Sequence, residues 1–333
     1  MNLPLPIRIL LWPLSLIYGM GARCRVLLYK KGIFKRRRLK APVISVGNLT
    51  VGGTGKTPLV IWLAKKFLAE GKSVAILTRG YGGRNGVSDE HRIMKNELGN
   101  RVKFGVGADR FKNGSILETE APVDVFLLDD GYQHVQLARD LDVLLIDTSR
   151  PLREEMLLPA GRLREPKSAI ARADVAVFTR TEHQLGVKRA IQEFPNMPIF
   201  PATTQLKEYR LLSPANQEVD ALGPLPAQPV FAFCGIGNPD AFFSDLDRWG
   251  NVVADREIFR DHHKYTTSEI SQLEQRAIRA GARSIIMTAK DAENLGRHNF
   301  VRIPAYVCEI EFKVGDEAEF LKAVKVGLSR GKG

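Results

Sequence analysis

The sequence predicts an α/β protein: a parallel sheet sandwiched by helices, a second and smaller α/β domain after it, and a helix at the N-terminus that lies on a membrane surface. Three observations carry this. Short apolar runs recur at Val43–Val46, Val74–Leu77, Val123–Leu128, Val143–Ile146 and Val175–Phe178, with helical stretches between several of them. Runs that short and that continuously apolar suit strands buried on both faces, which is the parallel βαβ arrangement. A glycine-rich turn, Gly47 to Gly55, joins the first strand to the first helix, and the opening 40 residues are apolar and then basic, unlike the rest.

The chain has 333 residues and a formal net charge of +12. That length favours two domains over one core. The charge favours anionic partners, and its placement says more than its size. No Asp or Glu occurs before Glu70, whereas Arg23, Arg25, Lys30, Lys31, Lys35, Arg36, Arg37, Arg38 and Lys40 all precede the first strand. A one-sided basic arm reads as an attachment surface. Cys24, Cys234 and Cys308 are odd in number and far apart, which gives neither a disulfide framework nor a metal motif and fits a reducing compartment.

Ile9–Ala22 is apolar and uncharged but spans about 14 residues and contains Pro13, short of the roughly 20 that a membrane-spanning helix needs. A secretory signal is the rival reading, with Arg8 ahead of the apolar run. An interfacial helix, with Trp12 and Tyr18 at headgroup depth and the basic run behind, fits better. Residues 1–40 are therefore expected to associate with an anionic membrane surface. Residues 41–205 form the phosphate-loop core, and 206–333 form the second α/β domain, its final helix returning to the core.

Helix Lys56–Glu70 follows the glycine turn, with Leu59, Val60, Leu63, Ala64, Phe67 and Leu68 on one face, Pro58 in its first turn and Gly71 at its end. The proline-rich stretch Pro195–Pro229 reads as the domain junction. Strand Val230–Phe233, helix Asp240–Trp249, helix Ser268–Ala280, strand Ser284–Met287, strand Tyr306–Phe312 and helix Asp316–Leu328 complete the second domain.

Residues 50–57 read Thr50, Val51, Gly52, Gly53, Thr54, Gly55, Lys56, Thr57. The phosphate-loop pattern G-x-x-x-x-G-K-[ST] is met except at its first position, where Thr50 stands. The glycines let backbone N–H groups approach phosphate, the following helix presents its positive end, Lys56 bridges the terminal phosphates, and Thr57 offers its hydroxyl to Mg²⁺. ATP and Mg²⁺ are the expected cofactors. Strand Val125–Leu128 delivers Asp129 and Asp130 as metal carboxylates. Asp147, at the end of the next strand, is a weaker candidate. Thr288-Ala289-Lys290-Asp291 has its lysine one place late for guanine recognition, which argues against a GTP switch.

The strings SVGNLTVGGTGKTP (45–58), TRGYGG (78–83), LLDDGYQH (127–134), LARDLDVLLID (137–147), LLPAGRLREP (157–166), FCGIGNP (233–239), FRDHHKY (259–265) and TAKDAENL (288–295) occur in that order. Together they resemble the tetraacyldisaccharide 4'-kinase family over nearly the whole chain. The resemblance implies ATP- and Mg²⁺-dependent phosphorylation of the 4'-hydroxyl of an acylated glucosamine disaccharide 1-phosphate, the lipid A precursor. It implies a peripheral enzyme on the cytoplasmic face of the bacterial inner membrane. It also implies two α/β/α domains joined by a two-stranded linker.

By the same resemblance Asp89, in Ser88-Asp89-Glu90-His91, takes the catalytic aspartate's place, and His262, in Asp261-His262-His263, that of its partner. The flanks of Asp89 differ from the family's Gly-Asp-Glu-Pro, and His263 stands next to His262 as an alternative. An Asp–His pair can accept the proton of a sugar hydroxyl; which of the two takes it stays open. Arg164 is expected at the transferred phosphoryl group, Glu165 at or beside the metal, and Gln133 and His134 either at the substrate or at a helix end. A regulatory phosphate-loop ATPase or GTPase at a membrane is the alternative function, and it would need neither Asp89 nor His262. Nucleic acid is excluded as a partner, because the charge is concentrated before residue 41 and no nucleic-acid motif appears. Nothing calls for an obligate protein partner.

Overall fold

The computed structural model describes residues 4–80, 89–149, 152–181, 191, 197–212, 225–296 and 298–330. The chain divides into two compact units, neither continuous in sequence. Unit 1 is Met1–Tyr81, Glu97–Thr204 and Phe312–Gly333; unit 2 is Gly82–Asn96 and Gln205–Glu311.

Unit 1 is built on β1 (Val43–Asn48), every residue of which is buried. Its parallel partners are β4 (Val125–Asp129) on one side and β5 (Leu141–Asp147) on the other. With β2 (Val74–Thr78), β3 (Lys103–Val106), β6 (Val175–Thr179) and β7 (Ile199–Leu211), the order is β3-β2-β4-β1-β5-β6-β7. Ala176 of β6 registers with Ile199 of β7, again parallel. α2 (Lys56–Ala69) covers β1 and β4 through fully buried Leu59, Val60, Leu63 and Ala64. Burying four such side chains is worth several kcal/mol of transfer free energy, about 1.5–3 for each large one. α4 (Arg110–Glu120) packs on β2 and β3. The C-terminal helix α8 (Glu317–Arg330) returns to β5. Phe320 is fully buried and lies 5.7 Å from the Trp62 ring and 5.1 Å from Phe200.

Unit 2 carries a four-strand parallel arrangement in the order β11-β10-β8-β9. It comprises β8 (Val230–Cys234), β9 (Val253–Ile258), β10 (Ser284–Thr288) and β11 (Ala305–Val314). Side chains alternate between two cores, as the period of a strand requires. Phe231, Phe233, Ile285 and Met287 meet Ile270, Leu273 and Ala277 of α6 (Thr267–Arg279). Val230, Ala232, Cys234 and Ile286 meet Phe242, Phe243 and Leu246 of α5 (Pro239–Arg248). The first residues of α3 (Asp89–Leu98) and the short α7 (Ala289–Leu295) belong to this unit. β7 and β11 each pass from one unit to the other within their length, at Thr204/Gln205 and Glu311/Phe312.

Two strands go unmarked in the sequence, and one expectation needs correction. The proline-rich junction contains the 13-residue strand β7, mostly half-buried, so it lacks the apolar runs that mark the other strands. β9 alternates half-buried and exposed residues over VADREI, where charge hides the pattern. The N-terminal helix is also longer than its apolar run: α1 spans Leu5–Lys30, 26 residues, and runs through Pro13 without ending. It is long and apolar enough to cross a membrane by length and composition, and only 11% of its apolar window is buried.

Candidate active site

The phosphate loop starts where β1 ends. Thr50 pairs in antiparallel fashion with Leu163, and Arg164 donates its backbone N–H to the Leu49 carbonyl at 2.7 Å. Val51 is held at both ends: its N–H donates to the Arg162 carbonyl at 2.8 Å, and its own carbonyl accepts from the Arg162 guanidinium at 2.9 Å. Thr50 therefore has extended backbone inside a short ladder, and the missing first glycine is not needed there. The later glycines are needed. Gly52 and Gly55 have φ of 111° and 89°, left-handed values that L side chains resist.

Gly55 is the N-cap of α2. No side chain caps this helix, and its first turn holds no acidic residue, so its free N–H groups and positive end are left for an anion. Gly53 has open space where a Cβ would stand, and Thr54 is buried beneath it, its carbonyl accepting from the Thr179 hydroxyl at 3.2 Å.

Lys56, with its side chain 14% exposed, lies 3.6 Å from Asp130. Arg164 reaches the same carboxylate with one nitrogen, 2.8 and 2.7 Å from its two oxygens. Asp130 sits just past β4 with φ of 50°. Burial raises its proton affinity, but Lys56 and Arg164 hold the carboxyl below its usual range. Asp129 is the last residue of β4, buried, and registers with Val46 of β1, the strand that leads into the loop. Thr57, Asp129 and Asp130 are hard oxygen donors of the type Mg²⁺ prefers. Among the described residues no three His, Cys, Asp or Glu side chains gather to hold an ion by themselves. A phosphate-loop Mg²⁺ is ordinarily bound through a hydroxyl, one or two carboxylates, water and phosphate oxygens.

Glu165 is held by an ion pair. Both of its oxygens are engaged by the Arg172 guanidinium, at 2.6 and 3.0 Å, and the carboxylate is buried. A metal ion there would have to displace Arg172, as one at Asp130 would have to displace Arg164; in this structure Glu165 fixes the segment that carries Arg164. Gln133 is part of the same support: its amide donates to the Asn48 carbonyl at 2.9 Å and accepts from Arg164 at 3.3 Å. His134 is buried among Arg110 and Arg139. Burial first, and those cations second, push it down to about 4, so it is neutral at pH 7. Asp147 pairs with Arg180 at 3.4 Å.

α1 is tied to this same segment. Ser15 donates to the Leu157 carbonyl at 3.0 Å and accepts from the Ala160 N–H at 3.1 Å, while Tyr18 donates to the Arg164 carbonyl at 3.0 Å. Gly19 is buried against Leu157, where a Cβ would collide at 2.6 Å. The opposite face leaves Leu5, Ile9, Leu10, Trp12, Ile17 and Met20 exposed. The basic run after α1 is not a free arm throughout: Arg37 pairs with Asp109, Arg38 with Asp140, and Leu39 is buried.

The second cluster lies in unit 2. Asp89 opens α3, buried, with its Oδ2 2.9 Å from His262 Nδ1. Asn294 Nδ2 donates to that same oxygen at 3.0 Å. Burial works against the charge, but the hydrogen bonds from His262 and Asn294 and the charges of His262 and Lys290 bring Asp89 down to about 2. The same hydrogen bond raises His262, with burial and Lys290 opposing. His262 has φ of 63°, and its N–H donates to the Gly235 carbonyl at 3.2 Å. His263 is turned elsewhere, stacked on Phe259 at 4.7 Å and bonded to Glu269 at 3.0 Å. The structure thus brings His262, and not His263, to Asp89. Ser88 and Tyr81–Gly83 of the quoted strings lie outside the described residues. Sequence reasoning missed Asn294 and Lys290, although both lie in TAKDAENL.

A profile of the family described as tetraacyldisaccharide-1-P 4'-kinase matches residues 7–328. A tetraacyldisaccharide 4'-kinase of Geobacter sulfurreducens is 40% identical over 319 residues, which cover 91% of this chain and 88% of the relative. One from Pelobacter propionicus is 37% identical over 335 residues, covering 95% and 91%. Among solved structures, LpxK from Aquifex aeolicus in complex with ATP superposes with a TM-score of 0.74. It is 31% identical, and the match covers 97% of this chain and 99% of that one.

Proposed function

The chain belongs to the tetraacyldisaccharide-1-P 4'-kinase family, and from that premise we infer how its residues carry out the family's reaction, transfer of the γ-phosphoryl group of ATP to the 4'-hydroxyl of the lipid A disaccharide precursor. The observation that supports the assignment of roles is the shared carboxylate of Asp130. It holds Lys56 and Arg164 together at the end of β4, beside a helix start bare of caps and acids. The loop amides of residues 52–57 bind the phosphate chain. Lys56 and Arg164 then take the negative charge that develops on the transferred group, in a role their pairing with Asp130 prepares. Thr57 and Asp129, with Asp130, are the side chains that would hold Mg²⁺, which supplies charge neutralisation at the phosphates when bound. The Asp89–His262 pair accepts the hydroxyl proton as the new P–O bond forms.

The acceptor is a lipid, and α1 suits its source. Its exposed apolar face, followed by Arg23, Arg25, Lys30, Lys31 and Lys35, fits an anionic membrane, with the chain peripheral on the cytoplasmic face of the inner membrane where ATP is found. The test is a thin-layer assay of the purified full chain with labelled ATP and tetraacyldisaccharide 1-phosphate in mixed micelles, with and without Mg²⁺. A labelled lipid product that requires Mg²⁺ is expected. Release of phosphate at the same rate without lipid would support the regulatory ATPase instead.

A further inference from the structure

α7 is seven residues long, yet its side chains reach most of what surrounds the Asp89–His262 pair. Asn294 donates to Asp89 Oδ2 at 3.0 Å. Lys290, one turn earlier and so on the same face, bonds Asp261 at 2.7 Å, lies 3.4 Å from His262 Nε2 and 3.7 Å from Glu90. Glu293 accepts from Asn96 of α3 at 2.7 Å. Asp291, wholly buried, accepts from the Gly235 N–H at 2.7 Å and from the Tyr265 hydroxyl at 2.8 Å. Gly235 is the residue whose carbonyl holds the His262 backbone. About two turns of helix therefore grip both partners of the pair, one through its carboxylate and the other through its ring and its main chain.

We propose that α7 is the jig of the proton-accepting pair, with Asn294 and Lys290 as positioning residues that hold Asp89 and His262 oriented and open to a proton. The chemistry sets the direction. An amide NH₂ facing a carboxylate can only donate, and an ammonium can only donate. Asn294 therefore favours the ionised carboxylate, and Lys290 favours a lone pair, not a proton, on the ring nitrogen that faces it. Both lower the affinity of the pair for a proton, and Arg92, 4.0 Å from Asp89, acts in the same sense. Glu90 and Asp261, 3.6 and 3.9 Å from His262 Nε2, act against them. Lys290 also draws both of these acids away by pairing with them. The pair titrates as a unit, so removing either donor raises its common proton affinity.

This rests on the reading of Asp89–His262 as the proton acceptor, and the experiment separates the two. Asn294→Ala, Lys290→Met, Asp89→Ala and the double variant Asn294→Ala/Asp89→Ala are assayed as full chains with ATP and the disaccharide 1-phosphate lipid across pH. Each single α7 variant is expected to lower kcat by roughly 10- to 100-fold, the usual worth of a group that orients a reacting one. KM for ATP should be unchanged, and the acid limb of the kcat–pH profile should move to higher pH. Asn294→Ala should add little in the Asp89→Ala background, since it acts through that carboxylate. A lowered kcat with an unmoved acid limb, or a full additional loss in the double variant, would overturn the proposal. If Asn294→Ala melts early, Lys290→Met, whose side chain is partly exposed, carries the test by itself. Wild-type turnover in Asp89→Ala would instead sink the reading of the pair, whatever the α7 variants do.

Discussion

The phosphate loop and the Asp–His pair are built in opposite ways. The loop draws the groups proposed to face phosphate from six consecutive residues, 52–57, and most of them are backbone N–H groups. The pair joins residues 173 positions apart, and the contacts of its two reacting groups are side chain on side chain: His262 on Asp89, Asn294 on Asp89, Lys290 beside the His262 ring. In the loop, geometry is fixed by left-handed glycines and by the strand that Leu163 and Arg164 lay beside it. In the pair, geometry is fixed by hydrogen bonds among charged groups within unit 2. A backbone cradle keeps its shape when one side chain is lost. A side-chain network does not, because each member orients the next. The two regions should therefore fail differently when mutated.

The largest effect is expected in the loop. Lys56→Ala should lower turnover on the order of 10³–10⁵-fold, the scale on which a cation at a transferring phosphoryl group acts. Its thermal midpoint should stay close to the wild-type value, because among the described residues the lysine's one ion pair is with Asp130. ATP affinity, measured by fluorescent-analogue titration, should fall with the rate. A variant that melts early would mean that the cradle depends on its side chains after all.

Asp89→Ala comes next, with a loss of roughly 10²–10⁴-fold in kcat, the usual contribution of positioned acid–base catalysis. Here ATP affinity should not change. If both variants lost ATP binding alike, the contrast between a phosphate grip and a proton acceptor would collapse.

How far each region could be read in the sequence follows from the same contrast. β1, the glycine turn and α2 are legible because their cause is local: apolar residues at helical spacing, glycines where φ is positive, lysine and threonine at the start of the helix. The buried strands of unit 1 are legible for the same reason. β7 and β9 are not, since half-exposed strands carry polar and charged residues on the open face. Glu165 is the instructive case in the site. Its string suggests a metal carboxylate, but Arg172, seven residues on, closes on both its oxygens through a turn that no helical or strand period foretells. Asp89 and His262 came from family resemblance alone, because nothing in either neighbourhood says that they meet. Asn294 could have been found only by asking which donor a buried carboxylate needs.

The smallest effect is one of stability, and it tests whether the pair is a network in the sense used here. Asp89 falls to about 2 in the fold, against about 3.9 for a free aspartate, a difference worth roughly 2–3 kcal/mol. A depressed carboxyl contributes fully where it is ionised in both states and nothing where it is protonated in both, so the contribution is full above about pH 4 and disappears as pH falls through 2. His262 is shifted the other way by the same bond, so its share is full below about pH 6.5 and fades as pH rises through its raised folded value. The advantage of the wild type over Asp89→Asn should therefore be greatest between about pH 4 and 6.5 and shrink on both sides. Trp249 is the tryptophan of unit 2, so urea unfolding with Trp12 and Trp62 replaced by Phe reports on the right part of the chain. An advantage that stayed level from pH 3 to 9 would mean that Asp89 is held by packing and not by its charged partners, and the distinction drawn between loop and pair would lose its physical basis.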